Sequence, residues 1–202
     1  MKLIGASFSY GEKIILQNFS LTLPDQGITA LSGPSGSGKT TLLRLIAGLE
    51  PLQHGTWEGP APQHCAMLFQ ENRLLPGLPV SKQVEVVLHK GADPTPYLEA
   101  VGLEGEENTL PAALSGGMQR RLALARLLAY GREKQLLLLD EPFTGVDPPR
   151  AAQIMDWLRR QNQTVLLAAH DGETLSLCDE VIRLSGPPLR VETASNVSPK
   201  TE

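Results

Sequence analysis

The stretch GITALSGPSGSGKTTLLRLIAGL, residues 27–49, constrains this chain more than any other. It places an apolar run of β character, a glycine-rich turn and a run of helical spacing in direct succession. The turn GPSGSGKT fits G-x-x-x-x-G-K-[ST] at Gly33, Gly38, Lys39 and Thr40, and a strand before it with a helix after it is the context that gives this pattern meaning. Glycine lets successive backbone N–H groups curl around phosphate oxygens, and the N-terminus of the next helix adds partial positive charge. Gly33, Pro34, Ser35, Gly36, Ser37 and Gly38 are therefore expected to cradle the phosphates of a nucleotide. Lys39 is expected to reach the β- and γ-phosphates, the Thr40 hydroxyl to bind Mg2+, and Thr41 to support the α-phosphate.

The remaining sequence supplies a sheet for this turn to rest on. QLLLLDEP (residues 135–142) and TVLLAAHD (residues 164–171) contain short, wholly apolar runs, and DEVIRLS (residues 179–185) reads as a third strand. Apolar residues without alternation suit strands buried on both faces of a parallel sheet. PPRAAQIMDWLRRQ reads as an amphipathic helix with proline at its start, so strand–helix–strand repetition predicts a doubly wound α/β core. LIGASFSY and LQNFSLTL, joined through Gly11-Glu12-Lys13, predict a β region at the N-terminus, and CAMLFQ (residues 65–70) another short buried strand. Residues 72–132 carry helical pieces broken by Pro and Gly, such as SKQVEVVLHK and TPYLEAVGL, which reads as a helical insertion. The Pro-, Ser- and Thr-rich end is expected to be mobile from about residue 190 to residue 202.

A chain of 202 residues can bury one sizeable core, and a 41% hydrophobic composition argues against disorder. A net charge of −4 with both signs interspersed lacks the basic footprint of a nucleic-acid binder, so no nucleic acid is expected as partner. Cys65 and Cys178 fit neither a metal-ligand spacing nor a disulfide framework, and read as small buried residues of a reducing cytoplasm. No apolar run approaches the roughly 20 residues that span a bilayer. The apolar part of the N-terminus is too short for a signal peptide, so the chain is expected to be soluble or held at a membrane by a partner.

A Mg2+ held by one hydroxyl needs an acid nearby. Asp140 stands at the carboxyl end of a buried strand, where ligands gather in such sheets, and is expected to hold the metal. Glu141 is then placed to polarise a water toward the γ-phosphate, although Asp140 and Glu141 read equally, taken alone, as a solvent-facing strand end. A second turn of phosphate-binding type opens LSGGMQRRLALARLLA, residues 114–129, at Ser115, Gly116 and Gly117. By itself it reads as an ordinary helix cap, since serine is a favoured N-cap.

In their order, these motifs resemble those of the ATP-binding cassette (ABC) ATPases, the nucleotide-binding subunits of ABC transporters. The resemblance runs over nearly the whole chain: Gly33–Thr41, Gln70 after a strand, LSGGMQRR, LLLLDEP, TGVD ending at Asp147, and AAHD with His170. It implies a P-loop NTPase core with a mainly parallel sheet, an N-terminal antiparallel β region, and a helical subdomain inserted between Gln70 and the magnesium strand. Residues 1–71 and 133–202 would form the nucleotide-binding core and residues 72–132 the helical subdomain, all within a single ABC ATPase domain over 1–202. It implies that two such subunits pack head to tail, so that Ser115, Gly116 and Gly117 of one cap the γ-phosphate held by the other. Gln70 would touch Mg2+ and the attacking water, His170 would contact the γ-phosphate and steady Glu141, and Asp147 would work across the interface. Tyr10 would stack on adenine, with neighbouring Phe8 in the core.

The resemblance also implies partners: a transmembrane permease, a second ATPase subunit identical or related, and a solute-binding protein. The chain would then sit in the cytoplasm, peripheral on the inner face of the cell membrane. Leu74, Leu75 and Leu78 form either a groove for a permease helix or local packing. Two departures stand out: Met118 replaces the usual signature glutamine, and TGVD replaces the commoner small-Leu-Asp. Met118 and the stretch FQENRLLPGLPV are similar to bacterial importers of the nitrate, sulfonate and taurine group. The rival readings are a soluble ABC-type ATPase outside transport, a P-loop phosphotransferase, which leaves the signature turn, Gln70 and His170 unexplained, and a nucleotide-sensing module that does not hydrolyse, against which Glu141 argues.

Overall fold

Two sheets and two buried layers position everything that follows. The structure is a computed structural model and describes residues 1–196. Its strands are β1 (Lys2–Tyr10), β2 (Lys13–Thr22), β3 (Ile28–Ser32), β4 (His54–Glu58), β5 (Cys65–Leu68), β6 (Leu136–Asp140), β7 (Val165–Ala169), β8 (Glu180–Ser185) and β9 (Arg190–Asn196). Its helices are α1 (Lys39–Ile46), α2 (Val80–Glu85), α3 (Thr95–Val101), α4 (Gly116–Gly131), α5 (Pro148–Arg160) and α6 (Gly172–Ser176). The larger sheet runs β5-β6-β7-β3-β8-β9, parallel except for β9, and the smaller sheet runs β2-β1-β4, antiparallel throughout.

Both faces of the large sheet are covered, which explains why its central strands show no polar alternation. Leu137 and Leu139 of β6 and Val165 and Leu167 of β7 face a layer that contains α4 and α5 through Leu124, Leu128, Ile154 and Leu158. Their neighbours Leu136, Leu138, Leu166 and Ala168 face the opposite layer, filled by Leu42, Leu43 and Ile46 of α1 and by Leu3, Phe8 and Phe19 of the small sheet. In α5, Ala151, Ile154, Met155 and Leu158 form one buried stripe at helical spacing, behind an Asp147 cap and two prolines. In the segment 72–132, α2 and α3 pack on α4, and α4 packs on β5.

Three elements were not expected from sequence, and one contradicts an expectation. Strand β4, HGTWE, is almost wholly exposed, so it has no apolar pattern to betray it. Helix α6 is short and capped by Asp171, which accepts from the Thr174 amide at 2.7 Å. Residues 190–196, placed by composition in a mobile tail, instead form β9, an antiparallel edge strand on β8. Its pairing with β8 defines that strand; residues 197–202 lie outside the described residues.

Cys65 and Cys178 are both free and buried, in opposite layers of the sheet. Burial pushes the Cys178 thiol up from its ordinary 9.0 to about 12, with the charge of Asp179 adding to it. The unfolded chain therefore gives up this proton near pH 9.0 and the native chain only near 12. Stability from this group is complete below the unfolded value and is lost as pH rises between the two. The native protein at pH 8 should leave both thiols unmodified by iodoacetamide while the urea-unfolded protein reacts at both; rapid native labelling of Cys178, read by mass spectrometry, would contradict the packing.

Candidate functional site

The parallel ladder aligns the carboxyl ends of four neighbouring strands. Asp140 lies opposite Ala168, and Ala169 opposite Ser32. Leu68 lies opposite Leu139, so Gln70 leaves the sheet beside Glu141. This register delivers the phosphate-type loop after β3, the acidic pair after β6, His170 after β7 and Gln70 after β5 to one edge, as sheets of this kind do.

The loop from Gly33 to Gly38 is shaped by its glycines. Gly36 and Gly38 have φ of 78° and 115°, where side chains are strained. A Cβ on Gly33 would strike the carbonyl oxygen of Leu184 on β8. Helix α1 then begins with neither a side-chain cap nor an acidic residue in its first turn, so its N–H groups and dipole end are uncompensated. The Lys39 ammonium donates to the carbonyls of Gly33 at 2.7 Å and Pro34 at 2.9 Å. Burial lowers its pKa, opposed by the charges of Glu141 and Asp140. Together these features make a pocket for an anion with several oxygens.

A cleft of about 270 Å³ at this loop is lined by Tyr10, Lys13, Ile15, Ser35, Gly36, Gly38, Lys39, Thr40, Thr41, Gln70, Asp140 and Glu141. Burial raises the Asp140 pKa above the usual carboxylate value; a hydrogen bond from Thr40 opposes this, and the Glu141 charge adds to it. Glu141 has a left-handed backbone, φ 48°, and its amide donates to the Ala168 carbonyl at 3.0 Å. Its carboxylate lies 2.9 and 3.1 Å from His170 Nδ1. An ionised carboxylate only accepts, so Nδ1 carries the hydrogen and Nε2 is left to face solvent or ligand. His170 borders a second cleft of about 200 Å³ that shares Glu141 with the first.

Thr40, Gln70 and Asp140 offer oxygen donors, the type Mg2+ takes, and they meet in the cleft. Among the described residues no group of three or more His, Cys, Asp or Glu is arranged to hold a metal ion. That set fits a Mg2+ completed by nucleotide oxygens and water, not one held by the protein alone.

The structure does not bring the second turn to this cleft. Ser115 and Gly116 are exposed, and neither they nor Gly117 nor Asp147 line it. Ser115 caps α4, accepting from the Met118 amide at 3.2 Å, and its hydroxyl hydrogen stays available. Asp147 likewise caps α5, accepting from the Arg150 amide at 3.0 Å. Gly117 approaches Gly145 so closely that a Cβ on it would strike the Gly145 carbonyl, so the signature turn and the loop before Asp147 are packed together. Phe8 is buried and Tyr10 exposed, their rings edge to face at 4.8 Å, with Tyr10 on the cleft rim.

One alternative was left open by the sequence, and one feature escaped it. Leu74 packs into the core, while Leu75 and Leu78 form a turn whose backbone is held by the buried Gln83. The groove near them, about 170 Å³, is lined instead by Met67, Phe69, Glu71, Arg73, Val87, Arg126 and Tyr130 among others. Arg120, three residues into an apparently polar MQRR run, is buried against the backbone of Phe69, Gln70, Asp140, Glu141 and Pro142. No local signal marks it, because its partners are distant in sequence.

Fold and cleft together define a P-loop nucleotide-hydrolysing protein with a second phosphate-type turn on its surface. Residues 16–144 match the ABC transporter family. The aliphatic sulfonates import ATP-binding protein SsuB 2 of Burkholderia cenocepacia is 39% identical over 199 residues, spanning 91% of this chain and 73% of that protein. SsuB 2 of Frankia alni is 42% identical over 188 residues, spanning 89% and 75%. Among solved structures, the dimeric bacterial ABC transporter cassette MJ0796 superposes with a TM-score of 0.82 at 27% identity over 98% of both chains. The same cassette in a post-hydrolysis state bound to ADP and Pi gives 0.81 at 26%, again over 98% of both. The chain belongs to the ABC transporter family, and it is an ATP-binding, ATP-hydrolysing subunit of such a transporter.

Gly33→Ala tests the loop's dependence on a bare backbone. Forcing a methyl group against the Leu184 carbonyl must shift the loop, at a cost of about 1–3 kcal/mol. Nucleotide affinity, measured by fluorescence titration, should fall by about tenfold or more; an unchanged affinity would show that the loop is not held against β8.

Proposed function

We propose that this subunit drives import by clamping ATP between two chains, and that its importer handles aliphatic sulfonates or solutes of similar chemistry. The observation that carries the reading is the Glu141–His170 contact at the mouth of the cleft, with Ser115 and Gly116 exposed elsewhere on the same chain. A turn built for phosphate but turned away from its own cleft fits use by a neighbour. The sulfonate assignment follows the names of the relatives alone.

On ATP binding, Lys39 leaves the Gly33 and Pro34 carbonyls for the β- and γ-phosphate oxygens. The loop amides and the first turn of α1 hold the remaining charge, and Tyr10 stacks on the base. Mg2+, when bound through Thr40, Asp140 and Gln70, supplies positive charge to the phosphate oxygens. The second chain brings Ser115, Gly116 and Gly117 over the γ-phosphate and Asp147 across the seam, which excludes water other than the attacking one. Glu141, held by His170, orients that water and takes its proton; the water oxygen bonds to the γ-phosphorus as the bond to ADP breaks. Stabilising the transferring group is then mainly a matter of position and charge.

No helix among the described residues is long and apolar enough to cross a membrane, so the permease supplies the passage. The apolar groove beside Gln70, with Met67, Phe69, Val87 and Tyr130, suits a short helix of that permease on the cytoplasmic face. Residues 72–132 would then work as the helical lobe that links this groove to the signature turn. A solute-binding protein would deliver the cargo.

Glu141→Gln tests the chemistry. ATP binding should persist, turnover should drop by about 10²–10⁴-fold, and a dimer should be trapped on sizing chromatography with ATP. A variant that stays monomeric at saturating ATP with full turnover would contradict the mechanism.

A further inference from the structure

Arg120 lies in the first turns of α4 and is only 3% exposed. Its Nε donates to the Pro142 carbonyl at 3.0 Å. Its Nη1 donates to the carbonyls of Phe69 at 2.7 Å and Gln70 at 3.1 Å and to Asn72 Oδ1 at 3.3 Å. Its Nη2 donates to the carbonyls of Asp140 at 2.6 Å and Glu141 at 2.8 Å. Every acceptor is a carbonyl or amide oxygen, and the guanidinium has no hydrogen left unused.

The geometry at the acidic turn is unusual for the end of a strand. Along an extended strand successive carbonyls point to opposite sides. Here the carbonyls of Asp140, Glu141 and Pro142 converge on one guanidinium, which the left-handed backbone of Glu141 permits. A non-glycine residue in that conformation persists only where its surroundings over-determine it. Arg120 supplies that determination from one side and the ladder bond from the Glu141 amide to Ala168 from the other. The neighbouring arginines do different work: Arg121 donates to Val101 and Gly102, and Arg126 to Arg73.

We propose that Arg120 is a positioning residue for hydrolysis: it ties the Glu141 turn and the Gln70 backbone to α4, so that the seat of α4 sets the aim of the Glu141 carboxylate. The proposal rests on the reading of Glu141 as the group that orients water. It makes the helix that starts at the signature turn a direct support of the catalytic turn within the same chain. The planar fork suits the task best, since one lysine ammonium keeps the charge but reaches only part of the acceptors and a glutamine offers only one nitrogen.

The test compares the full chain with Arg120→Gln, Arg120→Lys, Glu141→Gln and the Arg120→Gln/Glu141→Gln double variant. Steady-state ATPase rates, fluorescent-ATP affinity and thermal melting are measured for each. Arg120→Gln should lower kcat by about tenfold or more with KM and ATP affinity within about twofold, and Arg120→Lys should recover part of the loss. The double variant should turn over no more slowly than Glu141→Gln alone, because both substitutions disable the same group. Wild-type kcat in folded Arg120→Gln, ATP affinity falling in step with kcat, or multiplicative losses in the double variant would each overturn the proposal. If Arg120→Gln does not fold, Arg120→Lys and its double with Glu141→Gln decide by the same comparisons. Full turnover by Glu141→Gln would instead sink the reading of Glu141, independently of any Arg120 variant.

Discussion

The parallel ladder joining β6, β7 and β3 sets the spacing of the site. Asp140 is level with Ala168, and Ser32 with Ala169, so the acidic pair, His170 and the phosphate loop leave the sheet from adjacent strands. What holds this register is burial on both faces. A slip by one residue would swap the set Leu137, Leu139 and Leu167 with the set Leu136, Leu138 and Leu166, turning each toward the wrong layer. The two layers differ in kind, one helical and one built from α1 and the small sheet, so the swapped packing has no equivalent. Core packing and site geometry are thus one constraint.

Against that rigid edge, the protein gathers electrostatic features that are costly without ligand. Helix α1 starts uncapped, Lys39 is buried against carbonyls, and Asp140 is a buried carboxyl whose pKa is raised by desolvation. Glu141 holds a left-handed backbone. Each departs from what stability alone would choose, and all lie within one cleft. A polyphosphate with a divalent cation satisfies the first three at once, which gives nucleotide binding a large differential effect on this region. The signature turn differs: Ser115 already caps α4, so under the proposed clamp it would offer a neighbour its hydroxyl hydrogen and exposed backbone without rearrangement.

How much of this could be read from sequence depended on whether the signal was local. The phosphate loop is legible because the chain around it must curl in one way, and glycine, lysine and threonine at fixed offsets record that. LLLLD is legible because two-sided burial erases alternation. β4 and β9 are not: HGTWE offers only Trp57 to the core, and the strand after Leu189 is defined by its pairing with β8. The resemblance placed Phe8 in the core and Tyr10 toward the nucleotide, and the structure has Phe8 buried and Tyr10 on the cleft rim; the register shift between Phe8 and Ser9 that accompanies this is a detail composition does not encode. Leu74, Leu75 and Leu78 left a docking groove and local packing equally open; Gln83 folds Leu75 and Leu78 into a turn, and a groove opens beside it. Arg120 was hidden in a charged run; its partners lie from 20 to 51 residues away, and only the fold brings them together.

The central claim is that one ATP is held by the phosphate loop of one chain and the Ser115 turn of another. Cysteines placed at Ser35 and Ser115 test it most directly, since Ser35 lines the cleft, Ser115 is exposed, and both native thiols are buried. Two chains, each with one added cysteine and each also carrying Glu141→Gln to keep the nucleotide intact, are mixed, and disulfide formation is followed on non-reducing gels. The account predicts a crosslink between the two chains that forms with ATP and fails without it. A crosslink indifferent to ATP, or none between chains at saturating ATP, would contradict it.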